Sequence, residues 1–404
     1  MLFSIAAALA QTCNPFLELK PDSSLKWAMG VFANYNIGSN AITNGFLNGF
    51  YEGRFINDSQ KDRVEKKMSH NNRIGGDING GIYYLQKRDS LPAHQSQSWF
   101  FSVKNRQHAD AGFSPDLFHV AFYGNASYSG RTADFDGFSL NVMQYQQFQA
   151  GFTGDRFAVG LSVYNGQQYL QVQAKKAQLY TSADGQYLDF NTAYTMRVSN
   201  ANYSNPGALN GIGTGLDLFY RLPVELRKGQ KADFIFELSD LGFIRWNKQT
   251  NQYKNDTLYH FDGIAIKNAF QLADSTVHYS AKSTFNAKPV KQAAYVSNLP
   301  TTMDIKYVPL GTKYQFVYGI RYSFASNYVP YGYVQFRYHF GARYTATAEM
   351  GYGGYANLQT GLTLHAQFKQ GFSALLGTNN LFGYLFPLNS CGQGLYVSVS
   401  KVFR

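Results

Sequence analysis

The chain has 404 residues, 17% of them aromatic, 15% charged and 38 of them glycine, with a formal net charge of +11 and a mean hydropathy of −0.31. No stretch approaches the roughly 18 apolar residues of a spanning helix. With two cysteines, Cys13 and Cys391, there is neither a disulfide scaffold nor a Cys-based zinc site. The positive balance points to acidic partners such as anionic membrane lipid or phosphorylated lipopolysaccharide. The basic residues are scattered through loops without the aromatic-basic signature of an RNA-binding sheet, which speaks against nucleic acid.

The apolar opening, Met1 to Ala10, ends in Ala8-Leu9-Ala10 and fits an export signal cut after Ala10, although it carries no basic start. Gln11 and Thr12 separate this site from Cys13, so a lipidated cysteine is not expected. Residues 11–404 read as one domain. Residues 27–35 predict a first strand, and residues 39–68 then lose alternation and contain a short mixed-charge helix around Lys61 to Lys67. Thirty irregular residues do not suit a tight turn, so 39–68 is expected to be a luminal plug or a long loop.

Alternation resumes at 74–86 and 99–106, followed by a short, helical-looking insert at 115–123. Further strands are predicted at 138–152, 157–164, 169–180, 187–196, 212–222 and 234–238. The polar region 247–302 carries weaker strands at 264–270 and 277–283 and reads as an extracellular loop region.

From Tyr314 onward the period of two is plain. Phe316, Tyr318, Ile320 and Tyr322 alternate with Gln315, Val317, Gly319 and Arg321, and Val334, Phe336, Tyr338 and Phe340 alternate with Gln335, Arg337 and His339. Tyr344 to Tyr352, Leu358 to Phe368 and Leu395 to Phe403 repeat the pattern. An apolar face tipped with aromatics, opposite a face of Gln, Thr, Arg and His, is the inverted dress of a transmembrane antiparallel β-barrel. Roughly 390 residues at about 28 per strand and connection predict 14 strands, within a range of 12–16.

The polar face would line a lumen, where Lys313, Arg321, Arg337, His339, Arg343, Glu349 and His365 are expected. Such groups either line a permeation route or lock a filled interior through ion pairs. Barrel closure brings the chain ends together, so Cys13 and Cys391 either pair or remain two free thiols. No His-Glu-x-x-His, P-loop or Gly-x-Ser-x-Gly motif occurs, and neither catalysis nor a cofactor is expected.

The run Asp240-Leu241-Gly242-Phe243-Ile244-Arg245-Trp246 resembles the Asp-Leu-Gly-Phe-Ile-x-Trp signature of a family of Bacteroidota outer-membrane barrels. Asp240, Gly242, Phe243 and Trp246 carry the likeness. Trp99 to Arg106, Asp116 to Asn125 and Gly213 to Leu218 resemble other segments of the family, so the resemblance spans roughly Trp99 to Asn247. It implies a barrel similar to the long-chain fatty-acid transporters, often with about 14 strands and an N-terminal luminal plug, and more distantly to barrels of type IX secretion. The family's N-terminal Asn-Pro-Ala-type motif is replaced here by Asn14-Pro15-Phe16.

Two functions follow as expectations. One is passive transport or binding of a hydrophobic or amphipathic small molecule in a Gram-negative outer membrane. The other is a structural or assembly barrel with a filled lumen that serves a secretion or surface-protein partner.

Overall fold

A computed structural model describes residues 26–88, 97–200, 207–225, 229–262, 291–311, 313–341 and 343–403. The first strand, β1 (Trp27–Ser39), leads through the helices α1 (Asn44–Tyr51) and α2 (Asp58–Glu65) into β2 (Asn72–Lys87) and β3 (Ser98–Phe113). Then come α3 (Pro115–Tyr123), β4 (Arg131–Asp134), β5 (Ser139–Thr153), β6 (Phe157–Thr181), β7 (Leu188–Val198), β8 (Gly211–Glu225), β9 (Lys231–Trp246) and β10 (Asn251–Phe261). The short β11 (Lys291–Gln292) and β12 (Tyr295–Asn298) precede β13 (Thr302–Pro309), β14 (Tyr314–Ser323), β15 (Val329–Phe340) and β16 (Tyr344–Gly354). The chain finishes with β17 (Asn357–Gln367), β18 (Phe372–Thr378), α4 (Leu381–Leu385) and β19 (Gly392–Phe403).

Fourteen of these strands close an antiparallel barrel in the order β1-β2-β3-β5-β6-β8-β9-β13-β14-β15-β16-β17-β18-β19, with β19 returning to β1. Closure registers Trp27 against Phe403 and Gly38 against Gly392, and the Trp27 ring stacks on Phe403 at 3.5 Å. At the end that holds Trp27 and Phe403 the connections at 154–156, 310–313, 341–343 and 368–371 are short; the opposite end carries the helices and the long excursions.

The helices start where the sequence supplies caps. Asn57 and Gln60 form a reciprocal capping box at α2. Ser114 caps α3 ahead of Pro115, and Gly124, at φ 86°, stops it. Residues 39–68 thus hold α1 and α2 at this rim, where Phe46, Leu47 and Val64 pack with Phe118 of α3. Asn44 Nδ2 ties α1 to the Gly383 and Gly392 carbonyls at 3.0 and 2.7 Å.

The alternation resolves as inside and outside. On β14, Gln315 and Val317 are buried while Phe316, Tyr318 and Ile320 stay about half exposed. β15, β16 and β19 repeat this. A barrel whose outer face is apolar and whose interior is polar suits a bilayer, where closure leaves no strand edge unpaired.

The structure changes three sequence expectations. The strands expected at 157–164 and 169–180 form one strand, β6, of 25 residues. A register shift at Gln144/Tyr145 interrupts its ladder with β5, which resumes as far as Ser139 and Gln173; the other edge of β6 passes from β8 to β7, its end pairs with β4, and β7 pairs with β10 in a sheet that projects past the rim. The strand expected at 234–238 runs to Trp246, because the motif after it forms a bulge rather than a loop. In the region 247–302, β10 is a well-formed strand, and the weaker strands at 264–270 and 277–283 lie outside the described residues, as do Met1 to Ala10 and Cys13.

Candidate functional site

Toward the end that holds the chain termini, an apolar cluster packs inside the barrel beside buried polar residues such as Arg221 and Asp233, 3.7 Å apart. Phe32, Leu85, Phe100, Phe219, Ile235 and Val317, from six different strands, belong to one buried cluster. Six walls meeting in one contact set fill this part of the lumen, and each large side chain so buried contributes about 1.5–3 kcal/mol.

Beside and above the cluster the interior is ionic. On one side, Arg106 of β3 pairs with Asp240 of β9, Asp217 accepts Asp240 N–H at 2.7 Å and Gln149 Nε2 at 2.6 Å, and Lys104 Nζ donates to Gln149 at 3.2 Å. On the other, Asp304 takes Arg321 Nη2 at 2.6 Å and the Tyr333 hydroxyl at 2.8 Å. Glu349 accepts the Tyr331 hydroxyl at 2.8 Å and Gln335 Nε2 at 2.6 Å, and Arg337 Nη2 donates to Gln335 Oε1 at 2.6 Å. Lys104 and Arg337 are only 2% and 1% exposed, so these charges are held by protein groups rather than bulk water.

At the mouth away from the termini, two turns fold inward. β3 and β14 are six places apart around the fourteen-strand circuit, nearly opposite each other. Yet Asn327, in the turn between β14 and β15, gives Asp110 of β3 its backbone N–H at 2.9 Å and its Nδ2 at 2.6 Å. The same Asp110 lies 2.9 Å from His108 Nε2, and His108 Nδ1 lies 2.8 Å from Asp77. Tyr355, in the turn between β16 and β17, is buried against β2 so closely that a Cβ on Gly75 would meet its ring at 2.4 Å. The lumen is thus filled by packed side chains at one end and crossed by a charged latch at the other.

The Asp240 motif shapes the wall itself. Asp240 adopts φ 60° in mid-strand, a left-handed conformation that Asp tolerates better than most residues. Its carbonyl accepts Thr301 Oγ1 at 2.9 Å, and the bulge sits opposite the break between β12 and β13. Gly242 is required because a Cβ there would lie 2.5 Å from the Thr214 carbonyl oxygen. Trp246 is fully buried, stacks on Tyr169 at 5.0 Å and donates Nε1–H to Ser297 at 2.8 Å, while Phe243 points outward.

Of the residues expected in the lumen, Arg321, Arg337, Glu349 and His365 line it, and His339 does so half-buried, with Nδ1 3.0 Å from Thr345 Oγ1. Lys313 and Arg343 do not line it. β14 begins at Tyr314 and β16 at Tyr344, so both residues lie just before their strands, exposed in short turns, Lys313 5.2 Å from the Tyr338 ring. Cys391 is half-buried with its thiol directed at the Ala41 carbonyl at 3.6 Å, and burial pushes that thiol up to about 11. Among the described residues no group of three or more His, Cys, Asp or Glu side chains is placed to hold a metal.

Sequence reasoning foresaw the apolar outer face but not a groove in it. A groove of about 1090 Å³ crosses seven strands from β1 to β9 on the outer face. One rim includes Val103, Phe148 and Val163, the other Phe101 and Leu161, and the floor is the backbone of inward residues such as Gly215 and Gly242. Its lining is mostly apolar, and its size lies just above the roughly 300–1,000 Å³ of small-molecule sites. The small residues Gly30, Ala150, Gly215 and Gly242 along these strands were the signal available in the sequence.

Residues 19–379 match a family of unknown function, DUF5723, and the chain belongs to that family. None of the curated proteins matches it. Among solved structures, the Ralstonia pickettii toluene transporter TbuX is similar over 100% of this chain and 98% of its own, at 8% identity and a TM-score of 0.42. The P. putida toluene transporter TodX covers 100% and 95% at 10% identity and a TM-score of 0.39. The beta domain of the Bordetella autotransporter BrkA covers 93% and 100% at 10% identity and 0.33.

Proposed function

We propose that this member of the DUF5723 family is an integral barrel of a Gram-negative outer membrane that binds or passes a hydrophobic or amphipathic small molecule without an energy source. The apolar groove across β1 to β9 carries this reading, because it lies on the face where a bilayer delivers such molecules. The closed lumen fits the same reading: a porin needs a wet channel, whereas a hydrophobic solute gains nothing from one. Proteoliposomes are expected to resist swelling in small sugars yet to accept a pyrene-labelled fatty acid faster than protein-free vesicles. Uptake no faster than the protein-free control would reject the reading.

A second reading, a structural or assembly barrel serving a secretion or surface-protein partner, is favoured by the filled lumen and by the sheet of β4, β6, β7 and β10 beyond the rim. Affinity purification from native membranes separates the two. A stoichiometric protein partner together with absent uptake would select this second reading.

A further inference from the structure

Outward positions of a barrel wall should be apolar, and on β3 they begin so, with Trp99, Phe101 and Val103. The next two are Asn105 and Gln107. On β5 the corresponding outward positions are Gln146 and Gln144, registered against Asn105 and Gln107, and on β6 Asn165 is registered against Gln146. Five amides therefore form two rows immediately beyond the groove rim made by Val103, Phe148 and Val163. Gln107 and Gln144 also line an adjoining pocket of about 530 Å³.

Their height makes the amides anomalous. They stand six to eight residues up from the aromatics Trp99, Phe152 and Phe157, and at about 3.3 Å per residue with a tilt of about 40° that is about 15–20 Å into an apolar band about 25 Å tall. An amide there must find a hydrogen-bond partner. Asn165 Nδ2 donates to Gln146 at 3.2 Å, but Asn165 Oδ1 is buried with no partner. Groove and amide rows are continuous on the surface that already faces lipid, and a long concave groove suits a slender chain better than a second copy of the same wall.

We infer that the amide rows hold the head of an amphipathic ligand whose hydrocarbon tail fills the groove, and that this head is uncharged and rich in hydroxyl or amide groups. This rests on the groove reading above. The outward positions of β3 and β5 carry no charged side chain. The exposed cation at the end of the row, Arg245 of β9, is three strand spacings from Gln146, about 14 Å away.

The test uses the full chain in phosphatidylcholine vesicles and two photoactivatable probes with the same sixteen-carbon tail, an alkane and a monoacylglycerol. Both are expected to label groove peptides, the monoacylglycerol about tenfold more efficiently, as two extra hydrogen bonds would give. The variant Gln107→Leu, Gln144→Leu, Gln146→Leu only makes the wall more lipid-like and is expected to insert normally, to lose the preference and to keep alkane labelling. Equal labelling of the wild type by both probes would overturn the amide assignment while leaving the groove intact. Absence of alkane labelling in the groove would overturn the functional reading and this inference with it. A detergent-solubilised dimer that the leucine variant abolishes would assign the amides to a second copy and overturn the proposal.

Discussion

The wall from β14 to β19 and the wall from β1 to β9 share one ladder but obey different constraints. In the first, aromatics point out, polar residues point in, and one register shift occurs at a strand end, between Val329 and Gly332. In the second, register shifts interrupt β5–β6 and β8–β9, Asp240 sits at positive φ within a strand, and amides face outward. The first wall needs only to satisfy lipid on one side and its own hydrogen bonds on the other. The second departs from that economy where the groove, the bulge and the projecting sheet lie, the features on which the proposed function rests.

The two walls are expected to differ most at the bulge. Arg106→Ala leaves the Asp240 carboxylate buried without its cation and is expected to cost about 3–5 kcal/mol in urea unfolding of the vesicle-inserted barrel; an effect below 1 kcal/mol would mean that the bulge tolerates its charge alone. Lipid exposure separates the walls next. Tyr318→Arg in mid-wall is expected to cost about 2–4 kcal/mol, and Gln107→Arg, which replaces an amide nearer the interface, clearly less. Equal losses would show that the amide rows are as greasy a setting as the aromatic ones.

The latch is tested by conductance. Asp110→Ala with Asn327→Ala removes hydrogen bonds to a carboxylate worth about 1.5–3 kcal/mol each. With the packed cluster still in place at the other end, the double variant is expected to stay silent in planar bilayers like the wild type, and channel events would show that the latch is the sole barrier. The smallest contrast is between two glycines. Gly242→Ala drives a Cβ to 2.5 Å from a carbonyl oxygen and is expected to cost about 1–3 kcal/mol, whereas Gly332→Ala meets nothing within 4 Å and should stay within about 0.5 kcal/mol of wild type.

The sequence made the regular wall legible because each residue there answers to its nearest neighbours. Phe316 against Gln315, or Met350 against Glu349, declares its face through period alone. Lys313 and Arg343 kept the right parity yet fell in turns, since parity does not say where a strand stops. The other wall could not be read this way. A bulge at Asp240 resets the phase, so 234–238 looked like the end of a strand whose ladder continues to Trp246. Likewise, the latch of Asp110 on Asn327 joins residues 217 positions apart, and no local pattern announces such a pair.

The pairing of β1 with β19 has a consequence for how the molecule is made. It joins residues at opposite ends of the described chain along a twelve-position seam, and loop closure over that separation costs about 5 kcal/mol before any contact repays it. Until the last strand arrives, β1 offers a raw row of backbone donors and acceptors that hydrocarbon does not accept. Insertion and ring closure must therefore proceed as one event on a surface that shields that row, and a chain cut short of Gly392 has no stable place in a bilayer.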